Sequence, residues 1–210
     1  MAQRLSRSFY RRDAVQVARS LLGQKLVRWL DGHRLAGFIV ETEAYLGIPD
    51  RAAHTHNGRR TPRNASMWKD GGYAYVYFTY GIHHCMNVVA GRSEDPIAVL
   101  LRALEPVEGL EIMRAHRGWS KADSQLCSGP GKLCQALAMD RSLDGVDLVA
   151  GEDLTVERAC SRPLPDVAIV VSKRIGVAYA EEWADRPLRF HVRGNLHVSQ
   201  RTQSRQKNCR

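Results

Sequence analysis

The sequence predicts one α+β domain, in which a mixed or antiparallel curved sheet carries flanking helices and a protruding β-hairpin. Three observations predict it. A chain of 210 residues can enclose one good-sized hydrophobic core. Alternating apolar and polar residues, typical of strands, recur along the chain between a few helical segments. No internal repeat or linker divides the chain, so we assign residues 1–200 to a single domain and residues 201–210 to a basic tail predicted to be disordered.

The first elements are a helix and two strands. Asp13 can cap a helix that Gly23 ends, and the apolar residues between them lie on one side. Strands are predicted over residues 24–30 and 33–45, and Asp31-Gly32 between them is a strong type I′ turn signal. If the alternation holds along the second strand, one face carries apolar residues and then two carboxylates: Leu35, Ile39, Glu41, Glu43 and Tyr45.

A long irregular segment and an aromatic hairpin follow. Residues 46–72 lack regular patterns, and loops of that length are commonly functional or disordered. Four of the seven tyrosines then fall within residues 73–80, on a predicted strand that reverses at Tyr80-Gly81 and returns over residues 82–89. Because turns usually carry small polar residues, a tyrosine at the tip indicates a partner surface.

The second half of the chain completes the sheet. A strand is predicted over residues 97–104, and Pro106 is placed as the first residue of a helix ending near Arg117. The segment from Leu126 is predicted to be a loop that opens onto a helix. Three further strands are predicted at 154–157, 168–172 and 187–194, the last with one apolar and one basic face.

Charge and composition narrow the class of partner. The net charge of +9 favours a polyanion, with nucleic acid first and an anionic membrane surface second, although a basic protein without such a partner fits as well. No run approaches the ~18 apolar residues of a membrane span, and the N-terminus lacks the apolar region of a signal peptide. Five cysteines without a C-x-x-C pair indicate a reducing compartment.

Arg102 is the first candidate for chemistry, because it interrupts an apolar strand. A buried guanidinium stays ionised and needs a carboxylate, which Glu41 or Glu43 can supply. The arginine can fix strand register in an ion pair or face water on an edge strand. Alternatively it holds a carboxylate ionised and ready to take a proton from water. The residues alone leave these alternatives open.

Two other groups have a structural and a functional interpretation. His54, His56, His83 and His84 cluster near Cys85, but their spacing matches no standard zinc pattern, so ordinary structural or surface roles are favoured. Ser-Gly-Pro-Gly-Lys at 128–132 can form an anion-binding nest or a plain helix-opening turn, and it does not fit a nucleotide-binding P-loop.

Together, a basic surface, a tyrosine at a hairpin tip, neighbouring aromatic residues and an arginine-supported carboxylate suit an enzyme that extrudes a base from a duplex. Ordinary cross-strand aromatic packing is the alternative for the tyrosines. Eight strings follow in order between about residue 15 and residue 199. They are VETEAYLG (40–47), AAH (52–54), RTPRN (60–64), YVYFTYG (75–81), CMN (85–87), LLRALEP (100–106), CSGPGKLCQAL (127–137) and PLRFHVRG (187–194). This set resembles the alkyladenine (methylpurine) DNA glycosylase family.

The resemblance implies base-excision repair by hydrolysis of the N-glycosidic bond of damaged purines in duplex DNA, such as 3-methyladenine, hypoxanthine and etheno-adenine. Glu43 matches the general base that deprotonates the attacking water, and Arg102 matches the arginine that helps to hold that water. Tyr45, His54 and Tyr77 match residues that enclose the flipped base.

The remaining implied roles concern guanine exclusion and DNA contact. Asn87 matches the pocket residue that clashes with the 2-amino group of guanine, and Tyr80 matches the side chain that intercalates, so that the hairpin inserts into DNA. The implied contacts to the DNA backbone are Thr61, Ser128, Gly129 and Lys132, which lie within matched motifs, and Arg59, which directly precedes one of them.

Further expectations come with the resemblance. It implies no metal, no organic cofactor and a monomer, located in the cytoplasm with the nucleoid in a bacterium or in the nucleus of a eukaryote. No lysine stands among the positions matched to catalysis or to the flipped base, so an imine intermediate and strand cleavage are not expected. The residues Ile82, His83 and His84 depart from the family pattern just beyond the hairpin tip. A lesion-binding protein without catalysis and an RNA-binding protein are the rival functions.

Overall fold

A computed structural model of the chain describes residues 3–199, so the tail assigned to residues 201–210 lies outside the described residues. The helices and strands are α1 (Arg7–Tyr10), α2 (Ala14–Leu21), β1 (Lys25–Leu30), β2 (His33–Tyr45), β3 (Ala74–Thr79), β4 (His83–Ala90), β5 (Ile97–Glu108), α3 (Leu110–Arg117), α4 (Asp123–Leu126), α5 (Pro130–Ala136), β6 (Leu154–Glu157), β7 (Ile169–Ser172) and β8 (Arg189–Val192). Short 3₁₀ helices lie at His56–Gly58, Pro62–Trp68, Arg141–Leu143, Asp166–Ala168 and Ala178–Asp185.

The eight strands form one antiparallel sheet. Its main path has the order β3-β4-β5-β2-β1-β6, and β8 pairs with β2 and β7 beside that path. The two predicted turns have the positive φ angles of type I′ geometry, at Asp31-Gly32 and at Tyr80-Gly81. The prediction of an α+β chain with a curved sheet is confirmed, and every strand pairing is antiparallel rather than mixed.

The main core lies between one face of the sheet and the helices. In α2 the Asp13 side chain accepts from Gln16 N, as an N-cap does, and the apolar side of the helix packs on β2 and β5. The helices α3 and α5 extend the same layer, since α3 packs on α5, and α5 on β4 and β5. Val76, Met86, Val88, Val99 and Leu101 point into this core from the sheet.

The prediction that Leu35, Ile39, Glu41, Glu43 and Tyr45 share one face of β2 is wrong, because the strand contains a bulge. The register shifts between Ile39 and Glu41, where β2 changes its neighbour from β1 to β8. Leu35 and Ile39 therefore lie in the helix-side core, whereas Glu41 and Glu43 point to the opposite face of the sheet. The extra residue turns the second half of the strand over and places both carboxylates away from the apolar core.

The predicted start of the third helix at Pro106 is wrong. Pro106 belongs to β5 and pairs with Gly37, and α3 begins at Leu110, after Gly109 in the left-handed region at φ +76°. The ladder shifts register at this point, as is common where a proline cannot donate to it.

The long segment over residues 46–72 is ordered and covers the second face of the sheet. It contains two of the short 3₁₀ helices, and Met67 and Trp68 from it pack on Tyr75, Val89 and Ala98. Within residues 3–199, no helix has the length and apolar composition that crossing a membrane requires.

Candidate active site

The sheet face away from the helices carries the candidate site, on β3, β4, β5 and β2. Strand registers pair Tyr75 with Asn87, Asn87 with Leu100 and Leu100 with Glu43, so four side chains form one row across the sheet. With neighbouring strands about 4.8 Å apart, this row spans roughly 14 Å. Antiparallel pairing thus brings an aromatic residue, an amide and a carboxylate from distant parts of the sequence to one surface.

Glu43 is fully buried and has three partners. The Ile175 amide donates to Oε1 at 2.8 Å, and Arg102 Nη1 lies 3.2 Å from the same oxygen. The Tyr45 hydroxyl donates to Oε2 at 3.0 Å. Because a carboxylate offers about four acceptor positions, one position on Oε2 is unfilled by the residues that the structure describes.

Glu41 is also fully buried, but it is surrounded by arginines. Arg102 Nε and Arg189 Nε both donate to Oε1, at 2.9 and 2.7 Å, and the Ser199 amide donates to Oε2 at 2.6 Å. Arg102 therefore pairs with both carboxylates that the sequence offered as alternatives.

The two glutamates have opposite pKa shifts. Burial raises the pKa of Glu43, and the Arg102 charge, the Ile175 amide and the Tyr45 hydroxyl offset only part of that effect. Burial also acts to raise the pKa of Glu41, but the charges of Arg102 and Arg189 outweigh it and lower that pKa. Glu41 thus stays ionised as a structural anion, whereas Glu43 is the better proton acceptor, because a base works best with a pKa near the working pH.

A cavity of about 280 Å³ opens over this row, close to the lower limit of ~300 Å³ for ligand pockets. The three partners of Glu43, Tyr45, Arg102 and Ile175, all line it. The cavity also brings together the remaining residues for which the resemblance implied contact with the flipped base, and the tip tyrosine borders it: His54, Tyr77, Asn87 and Tyr80.

One wall of the cavity is aromatic and hydrogen bonded. The His54 ring meets Tyr77 edge-on with centroids 4.6 Å apart, and Tyr75 stacks on Tyr77 at 5.2 Å. His54 Nδ1 lies 2.8 Å from the Tyr75 hydroxyl. Burial and the charges of nearby arginines lower the pKa of His54, which favours a neutral ring.

Asn64, the last residue of the motif at 60–64, has a structural role in the site. Its buried side-chain amide donates to the main-chain oxygens of His54 and Arg59, both at 2.9 Å, and its oxygen accepts from Thr61 N at 2.7 Å. The 3₁₀ helix at Pro62–Trp68 is thereby joined to the turn that carries His54.

The hairpin tip exposes two apolar side chains. Tyr80 is 82% exposed and Ile82 is 71% exposed, and Tyr80 has a left-handed φ of +50°. That conformation costs a non-glycine residue about 1–2 kcal/mol. The two histidines beyond the tip pack locally, His84 against Phe78 at 5.0 Å between ring centroids and His83 against Gly131.

A second cavity, of about 360 Å³, shares His54 and Tyr75 with the first. Arg59 and Thr61 line it, together with Arg63, and no carboxylate stands among its lining residues. Beside the first cavity, Ser128 forms an isolated β-bridge with Ala103 of β5. Gly129 directly precedes α5, and Pro130, the first residue of α5, lines the cavity wall. Lys132 is exposed on the same helix. The residues predicted to contact the DNA backbone therefore lie around the two cavities, and their contact with DNA stays a prediction.

Clusters suited to a metal are absent from residues 3–199, since no three histidine, cysteine or acidic side chains there are grouped to hold an ion. Three cysteines are buried, Cys85 in the lining of the first cavity and Cys127 and Cys134 in the main core, and burial raises the pKa of each thiol.

Sequence reasoning missed four residues around the site. Tyr75 has no role among those that the resemblance implies, yet it lines both cavities; its alternation with Tyr77 is the signal that both share a face. Asn64 was noted only as part of a motif. Asp50 and Arg174 form a buried ion pair that no local pattern indicates.

Comparison with known proteins gives the family. The family model described as Methylpurine-DNA glycosylase (MPG) matches residues 8–196. The human protein named DNA-3-methyladenine glycosylase is 49% identical over 93% of this chain and 68% of its own length. Proteins from Natranaerobius thermophilus and Desulfitobacterium hafniense are 45% and 46% identical, over 93% and 94% of this chain, and each alignment covers 98% of the relative.

The family match covers most of the chain, and each of these three relatives is at least 45% identical over at least 93% of it. The chain therefore belongs to the methylpurine-DNA glycosylase family, and it is a hydrolase that acts on N-glycosyl bonds.

Proposed function

We propose that this protein is a monofunctional base-excision repair glycosylase that removes alkylated and deaminated purines, such as 3-methyladenine, hypoxanthine and etheno-adenine, from duplex DNA. One observation carries the proposal: Glu43 lies behind an aromatic cavity, with three of its acceptor positions filled and one unfilled. The name of the human relative, DNA-3-methyladenine glycosylase, supports 3-methyladenine as one of these lesions. Damaged double-stranded DNA is the partner, and the protein acts as a monomer.

The unfilled position on Glu43 accepts a hydrogen bond from the attacking water, and Arg102, which lines the cavity, holds the water oxygen. Glu43 takes a proton as the water attacks C1′, and its charge stabilises the oxocarbenium-like transition state. Tyr45 keeps its proton, because burial raises the pKa of its hydroxyl well above the ordinary value, so it remains a donor throughout. An alkylated purine already carries positive charge and leaves readily.

The flipped base lies between Tyr45 and the wall formed by His54 and Tyr77, as aromatic faces in such pockets stack on extruded bases. Asn87 excludes guanine by clashing with its 2-amino group. The position of Asn87 supports this role: the residue is buried in the cavity wall, and its side-chain amide donates to the main-chain oxygen of Tyr75 at 3.2 Å. No lysine stands among the lining residues, which supports hydrolysis without an imine intermediate.

Tyr80 fills the gap left by the extruded nucleotide. Two features support this role: the side chain is almost fully exposed, and the backbone is held in a left-handed conformation that such a residue rarely adopts. The net charge of +9 suits a DNA backbone, and the residues proposed to contact phosphates flank the cavity: Arg59, Thr61, Ser128, Gly129 and Lys132.

The variant Glu43→Gln tests the proposal, because it keeps the shape of the side chain and removes the base. We expect single-turnover release of 3-methyladenine or hypoxanthine from duplex DNA to fall by at least about 100-fold, the lower limit for loss of a general base. Affinity for a duplex with an uncleavable abasic analogue should change by less than about 3-fold.

The exposed Glu152, outside the cavity lining, gives the matched control Glu152→Gln, which should release bases at the normal rate. Normal base release by Glu43→Gln would refute the role of Glu43. Stronger competition by structured RNA than by duplex DNA would favour an RNA-binding protein instead.

A further inference from the structure

A second buried ion pair lies directly behind the site and does not line the cavity. Arg174 Nη1 and Nη2 donate to the two carboxylate oxygens of Asp50, at 2.6 and 2.8 Å, and both side chains are fully buried. Two main-chain oxygens, of Ala44 and Trp183, accept further hydrogen bonds from the same guanidinium at 3.0 and 3.3 Å. A buried pair of this kind often contributes little net stability, because desolvation of both charges offsets their attraction. Its position is therefore the more informative property.

Asp50 organises the turn that leads from β2 to His54. Its carboxylate accepts from the amides of Leu46 and Ala52, both at 3.0 Å. One end of this turn is Tyr45, the last residue of β2, and the other end carries the aromatic wall of the cavity. The turn is thus tied to Arg174 through a single carboxylate.

Arg174 contacts or adjoins both uncharged donors of Glu43. Its guanidinium carbon lies 4.7 Å from the centre of the Tyr45 ring, whose hydroxyl donates to Glu43. The residue that follows it, Ile175, donates its amide to the other oxygen of Glu43. A planar guanidinium can form a two-pronged bond to a carboxylate and stack on a ring at once, which a lysine cannot do.

We propose that the Asp50–Arg174 pair is a positioning pair for base excision: it holds the Tyr45 ring and the Ile175 amide where together they orient Glu43. Neither residue of the pair touches the substrate. The inference rests on the proposed role of Glu43 as the base. It adds that the ion pair fixes the two donors that hold the Glu43 carboxylate. Small displacements matter here, because a misplacement of about 1 Å can lower a rate about 100-fold.

The variant Arg174→Lys tests the inference, since it keeps the positive charge but removes the planar guanidinium that bonds to both oxygens of Asp50. We expect the single-turnover rate of hypoxanthine release from duplex DNA to fall about 10- to 100-fold. Affinity for a duplex with an uncleavable abasic analogue should change less than about 3-fold. The acid limb of the pH–rate profile should move to higher pH, because Glu43 loses well-placed donors to its ionised form.

The isosteric Asp50→Asn should give the same pattern, more weakly, and serves as the second variant. Arg34→Lys is the matched control, because Arg34 forms an ion pair with Glu157 outside the cavity lining, and its rate should stay normal. In a Glu43→Gln background, Arg174→Lys should cause no further loss of rate, because the group that it positions is already gone.

Three outcomes would overturn the inference. They are a normal rate in folded Arg174→Lys, an equal loss of rate and affinity, and loss of the native circular dichroism spectrum by both variants together with the rate. The last outcome would show that the pair acts on stability rather than on Glu43. Normal base release by Glu43→Gln alone would instead contradict the proposed function, so the two failures are distinguishable.

Discussion

The hydrogen bond from Tyr45 to Glu43 can be tested by its effect on pH dependence. Glu43 must be ionised to accept a proton, so the rate of base release should rise with pH through its pKa and then level off. The Tyr45 hydroxyl favours the ionised form, since it donates to Oε2 at 3.0 Å. The variant Tyr45→Phe keeps the ring in the cavity and removes only that donor, so the pKa of Glu43 should rise.

The size of the shift follows from the hydrogen bond. A bond to a charged acceptor is worth about 1.5–3 kcal/mol, and one pKa unit corresponds to about 1.4 kcal/mol. Loss of the Tyr45 hydroxyl should therefore move the acid limb of the profile upward by about one to two pH units. At a pH on the limb, the rate should fall about 10- to 100-fold, and the plateau at high pH should fall much less.

The measurement is single-turnover release of 3-methyladenine from a duplex at a series of pH values, with spontaneous loss subtracted. A positively charged lesion is preferred, because its departure needs no general acid. The pH profile then reports only the ionisation of the general base, Glu43. Tyr77→Phe is the matched control, since its hydroxyl bonds to Cys85 and not to Glu43. Coincident acid limbs for Tyr45→Phe and the unaltered protein would refute the reasoning.

Two further predictions concern the hairpin tip and the buried arginine. Tyr80→Ala should weaken binding to a duplex with an uncleavable abasic analogue by at most a few kcal/mol, which is the order of an unstacking cost. Trp119→Ala, at another exposed aromatic residue, is the control and should leave that affinity unchanged. Equal affinities for Tyr80→Ala and the unaltered protein would mean that the hairpin tip does not intercalate. Arg102→Gln should lower the free energy of unfolding in urea by about 3–5 kcal/mol, because it leaves two fully buried carboxylates with one cation fewer. A loss below about 1 kcal/mol would contradict this account of the cluster formed by Glu41, Arg102 and Glu43.

Local patterns in the sequence determine much of the architecture. Alternation and glycine turns predict the strands and both hairpins, because these signals depend only on neighbouring residues. The same patterns mislead at two places in the ladder between β2 and β5. The bulge near Val40 inverts the face of the second half of β2, and Pro106 continues a strand rather than opening a helix. Both depend on the partner strand, which a local pattern does not contain.

The sequence by itself determined the class of fold, the basic character and, through eight ordered motifs, a family that the comparisons confirm. Only the tertiary structure decided how the two carboxylates differ. Arg102 and Arg189 together lower the pKa of Glu41, whereas within residues 3–199 Glu43 forms an ion pair with Arg102 alone. The tertiary structure alone revealed Asp50 and Arg174 as partners, 124 positions apart. The physical reason is common to both cases: the pKa of a buried carboxylate depends on which charges and donors surround it in space, and strand register and chain crossing set those neighbours.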